Sequence, residues 1–176
     1  MAQDDTDQAL VEKVLEALPA SNKPGLGDEK RENALDQSQI NRWISSLNEE
    51  FSLSDDTRKF LHALVLLWND FLEPSHSIVQ SMGHPEASYI HGMMHRREED
   101  FGNAKYWFRR AYPLDNQSQF DTLITKYISD LNADYSGEWE PAKFVDHCQK
   151  DIKNPNYENV QAAEFMAMSH YVISNN

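Results

Sequence analysis

The chain has 176 residues, of which 40% are hydrophobic and 26% are charged. Its formal net charge of −13 at pH 7 argues against a nucleic-acid or anionic-membrane partner for the surface as a whole. The longest apolar stretch, residues 61–68, is interrupted by His62 and is much shorter than a helix that spans a bilayer. With a single cysteine and no secretion signal in the first ten residues, we expect a cytoplasmic protein without an internal disulfide.

The first 36 residues are acidic, and their apolar residues show only weak helical periodicity. Residues 7–18 carry an apolar stripe that predicts a short helix, whereas residues 19–36 are polar and contain Pro24, Gly25 and Gly27, as is typical of a linker. We predict a weakly ordered tail over residues 1–36 that packs loosely, with a partner-binding or autoinhibitory helix as the alternative. A single all-α domain is predicted over residues 37–176.

From Gln37 onward, apolar residues recur at helical spacing. Ser54 is predicted to cap a helix over residues 55–69, which is apolar nearly all round and should therefore be central and buried. Further helices are predicted over residues 37–51, 72–82, 88–99, 103–111, 120–131, 140–148 and 157–174. No segment alternates with period two, so we expect about eight or nine helices and essentially no sheet.

The hairpin of residues 88–111 contains the densest motif. Asp100 is predicted to cap its second helix, and Gly92 provides a flat spot where a partner helix can come close. Its small and aromatic residues resemble those of the tetratricopeptide (TPR) hairpin: Gly92, Asp100, Phe101, Ala104, Phe108 and Ala111. The match covers about one repeat and departs from the family pattern at Glu99 and Pro113. The resemblance implies a right-handed array of antiparallel helix pairs.

The string from His91 to Arg110 also resembles a motif in a family of uncharacterised bacterial and fungal proteins. The segments FLEPSHSIVQ and WEPAKFVDHC take part in the same resemblance, which spans roughly residues 55–176. This second resemblance supports a helical fold and implies no activity.

Three histidines and a carboxylate form the first candidate site. His91, His95 and Glu98 fall at positions i, i+4 and i+7, so they project from one face of one helix. Two imidazoles one turn apart can bind the same Zn²⁺ or Fe²⁺, with Glu98 as a third ligand or a catalytic base. His76, on the preceding helix, is the candidate for a further ligand. The alternative is that the histidines are hydrogen-bonded residues without a metal.

A basic and polar cluster in the same hairpin forms the second candidate site. Guanidinium groups bind carboxylates and phosphates in a bidentate manner, so a peptide or a small anionic ligand would fit. The candidate ligand-binding residues are Arg96, Arg97, Asn103, Tyr106 and Arg110. The alternative is that these arginines pair with acidic residues of the chain itself.

The sequence therefore leaves two main functions open. One is a binding or adaptor protein whose polar groove around residues 88–111 holds a peptide or a small anionic ligand, since helical repeats form concave binding surfaces. The other is a metal-assisted enzyme of hydrolytic or oxygen chemistry, with Zn or Fe bound by His76, His91 and His95. A purely structural role is a third option. The sequence contains neither a phosphate-binding loop nor a nucleophile elbow.

Overall fold

A computed structural model of the protein describes the backbone of residues 2–175 and the side chains of residues 5–175. Within these residues the chain forms nine α-helices and one 3-10 helix (Ala20–Asn22), without any strand. The α-helices are α1 (Ala2–Glu16), α2 (Gln37–Phe51), α3 (Asp55–Trp68), α4 (Leu72–Val79), α5 (Pro85–Arg97), α6 (Phe101–Ala111), α7 (Gln117–Asp130), α8 (Pro141–Lys150) and α9 (Pro155–Asn175). The predicted all-α class is confirmed. Over the same residues, no helix has the length and apolar character needed to cross a bilayer.

Two of the predicted capping residues begin their helices as expected. The Ser54 side chain accepts a hydrogen bond from the backbone N–H of Thr57 at 3.0 Å, and Asp100 accepts one from the N–H of Asn103 at 3.2 Å. Each bond satisfies one of the free donors in the first turn of a helix. The hairpin of α5 and α6 is therefore closed by Asp100, as the sequence predicts.

Helix α5 begins three residues earlier than predicted. Pro85 occupies its first turn, and His84 precedes it in an extended conformation. Proline suits this position because its fixed φ is helical and its missing N–H has no partner there in any case. Ser88, the residue at which the sequence predicts the helix to begin, is buried inside it.

From α2 to α6 each helix packs against the next one in the chain, and α9 joins several helices into one core. Contacts connect α3 with α4, α4 with α5, and α5 with α6, as expected for helix pairs. Helix α9 packs against α1, α3 and α7, and its Phe165 ring meets Trp68 of α3 edge to face at 5.3 Å. The predicted central helix α3 is buried along most of its length. It shares the centre of the molecule with α9.

The sequence predicts an N-terminal tail that packs loosely, whereas the structure shows that several of its apolar side chains are buried. Helix α1 packs on α9 and buries Leu10, Val11 and Val14, while Leu18 and Leu26 are also enclosed. These side chains remove apolar surface from water, and this stabilises the docked segment. These residues belong to the same hydrophobic core as those of the later helices.

The strap (residues 20–36) is held by buried polar side chains from later in the chain. The Arg97 guanidinium donates to the backbone carbonyl of Gly27 at 2.9 and 3.0 Å, and the Gln161 amide donates to the carbonyl of Gly25 at 3.0 Å. Arg31 of the strap donates in turn to Asp70 at 2.8 Å. The carbonyls of this irregular segment thus find donors inside the protein instead of in water.

At Gly92, the backbone of α5 lies close to the Phe108 ring of α6. A Cβ atom at this position would lie 2.9–3.0 Å from carbons of the Phe108 ring, which is itself buried. We expect Gly92→Ala to lower the free energy of unfolding by about 1–2 kcal/mol, because overpacking outweighs the higher helix propensity of alanine. Urea denaturation measures this change.

Gly102 provides the matched control, since it is exposed, lies in α6 and has no tight neighbour. Gly102→Ala is expected to leave stability unchanged or to raise it by up to about 1 kcal/mol. Equal midpoints for the two variants would contradict a close approach at Gly92.

Candidate metal centre

Three histidines from two neighbouring helices converge at the surface. His76 of α4 and His91 and His95 of α5 each offer a ring nitrogen, and these nitrogens lie within 4.8 Å of one another. The ring centroids are 4.6 Å apart for His76 and His91, and 4.8 Å apart for His91 and His95. The spacing of four on α5 directs two rings to one face, and the packing of α4 against α5 adds the third. The structure thus brings together the three residues that the sequence analysis predicts as metal ligands.

Carboxylates lie beside the Nδ1 atoms of two of these rings. Glu98 Oε2 is 3.0 Å from His95 Nδ1, and Glu73 Oε2 is 3.5 Å from His76 Nδ1. The Glu98 carboxylate, which lies at hydrogen-bond distance, keeps the proton of His95 on Nδ1 and leaves Nε2 as the nitrogen that can bind a metal. Glu98, the candidate catalytic residue, is therefore placed to orient His95.

His91 is the most enclosed ring of the three. It is buried and stacks on Trp107 of α6, with centroids 3.9 Å apart and planes 16° from parallel. Burial, followed by the neighbouring His95 and His76, lowers the pKa of His91 to about 3. The ring is thus neutral at physiological pH, which is the form that binds a metal.

His95 has a second polar neighbour on its other nitrogen. The Asn103 side-chain nitrogen lies 3.1 Å from His95 Nε2 and donates to its lone pair. A metal ion would use the same lone pair, so binding would displace the Asn103 amide. That amide would then be free to bond a ligand on the metal.

The histidines open onto a shallow depression between α4, α5 and α6. Its other lining residues are Gln80, Asn103, Tyr106 and Trp107, and Tyr106 is 48% exposed. Gln80 and Trp107 were missed as site residues. Gln80 follows His76 by four residues and Trp107 follows Asn103 by four, so helical spacing was the available signal.

Arg96 does not face this depression. Its side chain is fully buried and forms a bidentate pair with Glu164 of α9, which also accepts from the Tyr89 hydroxyl at 3.0 Å. The guanidinium lies over the Phe144 ring, 4.6 Å from the centroid. The prediction that Arg96 binds an external ligand does not hold in this structure, because no surface of the side chain is accessible.

Arg97 is enclosed in the same way on another side of α5. It donates to Asp70 at 2.8 Å and to backbone carbonyls, and its side chain is fully buried. The predicted ligand-binding role of Arg97 also fails, and the alternative of pairing within the chain applies to both arginines. Their partners are Asp70 and Glu164, and not the acidic residues at 98–100 that the sequence placed nearest.

The other three candidate ligand-binding residues remain at the depression or beside it. Asn103 and Tyr106 line it. Arg110, one turn further along α6, donates to the Tyr106 hydroxyl at 3.2 Å and lies 5.1 Å from the centroid of the Trp107 ring. The polar cluster that the sequence predicts is thus reduced to one face of α6.

Comparison with known proteins gave no match to any protein-family model, any curated protein or any solved structure. The resemblances to the TPR hairpin and to the bacterial and fungal family stay predictions. The function must be inferred from the geometry of the site.

Proposed function

We propose that the protein binds a divalent transition metal through His76, His91 and His95 and uses it in metal-assisted chemistry. The observation that carries this proposal is the convergence of the three imidazoles from two helices. Neutral imidazoles suit Zn²⁺, and also Fe²⁺, better than hard cations such as Mg²⁺. The Glu98 carboxylate on the Nδ1 side of His95 supports the same interpretation, because such pairs orient metal-binding histidines in many proteins.

The number of protein ligands favours a centre with a free coordination position. Zinc sites with three protein ligands and an open fourth position polarise a bound water or substrate, whereas structural sites have four protein ligands. The depression over the histidines is open to solvent and lined by amides and an exposed tyrosine. A ligand can therefore reach the fourth position.

Metal binding requires a small contraction of the site. Zn–N bonds of about 2.0–2.1 Å place ligand nitrogens roughly 3.3 Å apart, which is closer than the present limit of 4.8 Å. His76 has the freedom to supply this movement, since its side chain is 25% exposed and lies at the edge of the site. The more enclosed rings of His91 and His95 provide the fixed side.

The alternative of a peptide-binding adaptor has weaker support. That hypothesis depends on a groove with several converging arginines, and two of them are buried in ion pairs. The helix face of Asn103, Tyr106 and Arg110 is too small for an extended peptide. It is large enough for a small ligand beside a metal.

Calorimetric titration of protein purified without a histidine tag tests the proposal. We expect about one Zn²⁺ per chain for the wild type and an affinity at least ~100-fold lower for His76→Ala, because one of three ligands is lost. His84→Ala is the control, since His84 is exposed and lies outside the cluster. Within residues 5–175, its one ion pair is with Asp56. It should bind zinc like the wild type.

The zinc affinity of the Glu98→Gln variant provides a second test, for which we expect a smaller loss. The amide keeps the shape of the side chain but weakens the hold on His95, so we expect zinc affinity to fall about 10- to 100-fold. A wild-type protein that takes up no zinc, iron or cobalt, or a His76→Ala variant that binds zinc as tightly as the wild type, would overturn the proposed function.

A further inference from the structure

We infer that the open position of this centre takes a small oxyanion, a carboxylate or a phosphate, held jointly by the metal and Arg110. The inference rests on the proposed metal site and names the class of ligand that this site accepts. We infer the class of ligand from the α6 face that borders the depression, from the charge of the lining residues and from the position of Arg110.

The side chains of α6 that border the depression lie on one face of the helix. Asn103, Tyr106 and Arg110 are three and four residues apart, so they share one helix face with Trp107. Trp107 stacks on His91 at 3.9 Å and has the Arg110 guanidinium 5.1 Å from its centroid. The Arg110 guanidinium and the His91 ring therefore both lie against the same tryptophan, so Arg110 is close to the histidine cluster.

Arg110 is available for an external ligand. Its side chain is exposed and contacts the Tyr106 hydroxyl and the rings of Tyr106 and Trp107. No carboxylate within residues 5–175 forms an ion pair with it. Arg96 and Arg97, in contrast, are neutralised by buried acids. Arg110 thus keeps its charge and its fork of donors beside Trp107, which lines the depression.

The charge balance of the site favours an anion. The histidines are neutral ligands, so a divalent ion bound by them keeps its full charge. The other lining residues are two amides and two aromatic side chains, with no carboxylate among them. Glu73 and Glu98 face the Nδ1 atoms, on the side away from the free lone pairs. An oxyanion would meet a divalent cation on one side and a guanidinium on the other, and both favour it strongly.

The remaining polar groups match the same ligand. The Asn103 amide is released from His95 when a metal binds, and it can then donate to a ligand oxygen. The Tyr106 hydroxyl accepts from Arg110, so its own proton is available to donate. These donors surround the open position with partners for the two or three oxygens of a carboxylate or phosphate.

Cobalt substitution tests the inference in two steps. Co²⁺ is titrated into wild type, Arg110→Ala and Arg109→Ala, and its visible absorption reports both metal binding and the exchange of its open-position ligand. Arg109 is the matched control, because it is the adjacent arginine, is also exposed and lies off the shared face. We expect the three proteins to bind Co²⁺ with affinities equal within about twofold, because Arg110 is not a metal ligand.

Inorganic phosphate and acetate are then titrated separately into the Co²⁺-loaded proteins. We expect a saturable change in the wild-type spectrum with at least one of them, and a Kd about tenfold higher or more in Arg110→Ala, since a charge-assisted pair is lost. Arg109→Ala should follow the wild type. The anion with the lower Kd identifies the ligand as a carboxylate or a phosphate.

Two results would overturn the inference while the metal site stands: Co²⁺ binding without any spectral response to either anion, or equal anion affinities in wild type and Arg110→Ala. Failure of Co²⁺ to bind to the wild type appears in the first titration, before any anion is added. That result would refute the proposed function and the inference together.

Discussion

Glu164→Gln is expected to lower the free energy of unfolding by about 3–5 kcal/mol, because it leaves the Arg96 charge buried without a counter-charge. Both side chains are fully buried, and the guanidinium has no route to water. Its Nε atom has no partner in the wild type, so the bidentate contact with Glu164 is its main compensation. Urea or guanidinium denaturation, followed by circular dichroism, measures the loss.

A double variant distinguishes the cost of the unpaired buried charge from the cost of altered side-chain packing. In Arg96→Met/Glu164→Gln the charge is gone, the thioether can pack between the rings of Phe108 and Phe144, and the new amide still accepts from Tyr89. We expect most of the lost stability to return. Glu158→Gln, in the first turn of the same helix, should cost about 0.5 kcal/mol or less. A double variant as unstable as Glu164→Gln would show that the charge is not the cause.

Asp70→Asn is the second change for which we expect a large loss, about 3 kcal/mol or more. Asp70 has a positive φ of 68°, which asparagine adopts readily, so the backbone is preserved. What changes is the charge shared by two arginines: Arg97 donates to one carboxylate oxygen and Arg31 to the other, each at 2.8 Å. Arg97 would stay buried opposite a neutral amide.

Asp130→Asn provides the comparison for Asp70→Asn. Asp130 pairs with Lys126 one turn away in α7, and both side chains are about half exposed. Such surface pairs contribute at most about 1 kcal/mol, so denaturation midpoints should barely move. Similar shifts for the Asp70 and Asp130 variants would mean that burial of the Arg97 pair has little energetic weight.

The fold was predictable wherever its determinants are local. The helical spacing of apolar residues and the caps at Ser54 and Asp100 placed helices α2 to α9 within a few residues of their observed bounds. The N-terminal strap was not predictable in this way. It has no periodic pattern, and it is held by Asp70, Arg97 and Gln161, whose proximity to it depends on the tertiary structure.

The candidate site also has one part that could be predicted from local sequence and one part that could not. His91 and His95 share a helix face by their spacing alone, and His76 lies on the adjacent helix of the chain, so their convergence was predictable. Neighbouring positions on a helix point about 100° apart, so Arg96 and Arg97 could not share the face of His95. Their acidic partners are 68 and 27 residues away, at distances where a sequence pattern gives no pairing information.

The position of α9 in the chain also determines when the protein can fold during synthesis. α1, α3 and α7 all precede α9 and bury apolar side chains against it, and the Gln161 amide closes a loop of 136 residues back to Gly25. Until α9 has left the ribosome, the nascent helices carry uncovered apolar faces that are prone to aggregation. Solenoid repeats can add one folded unit at a time, but here the core closes only once its late helix arrives.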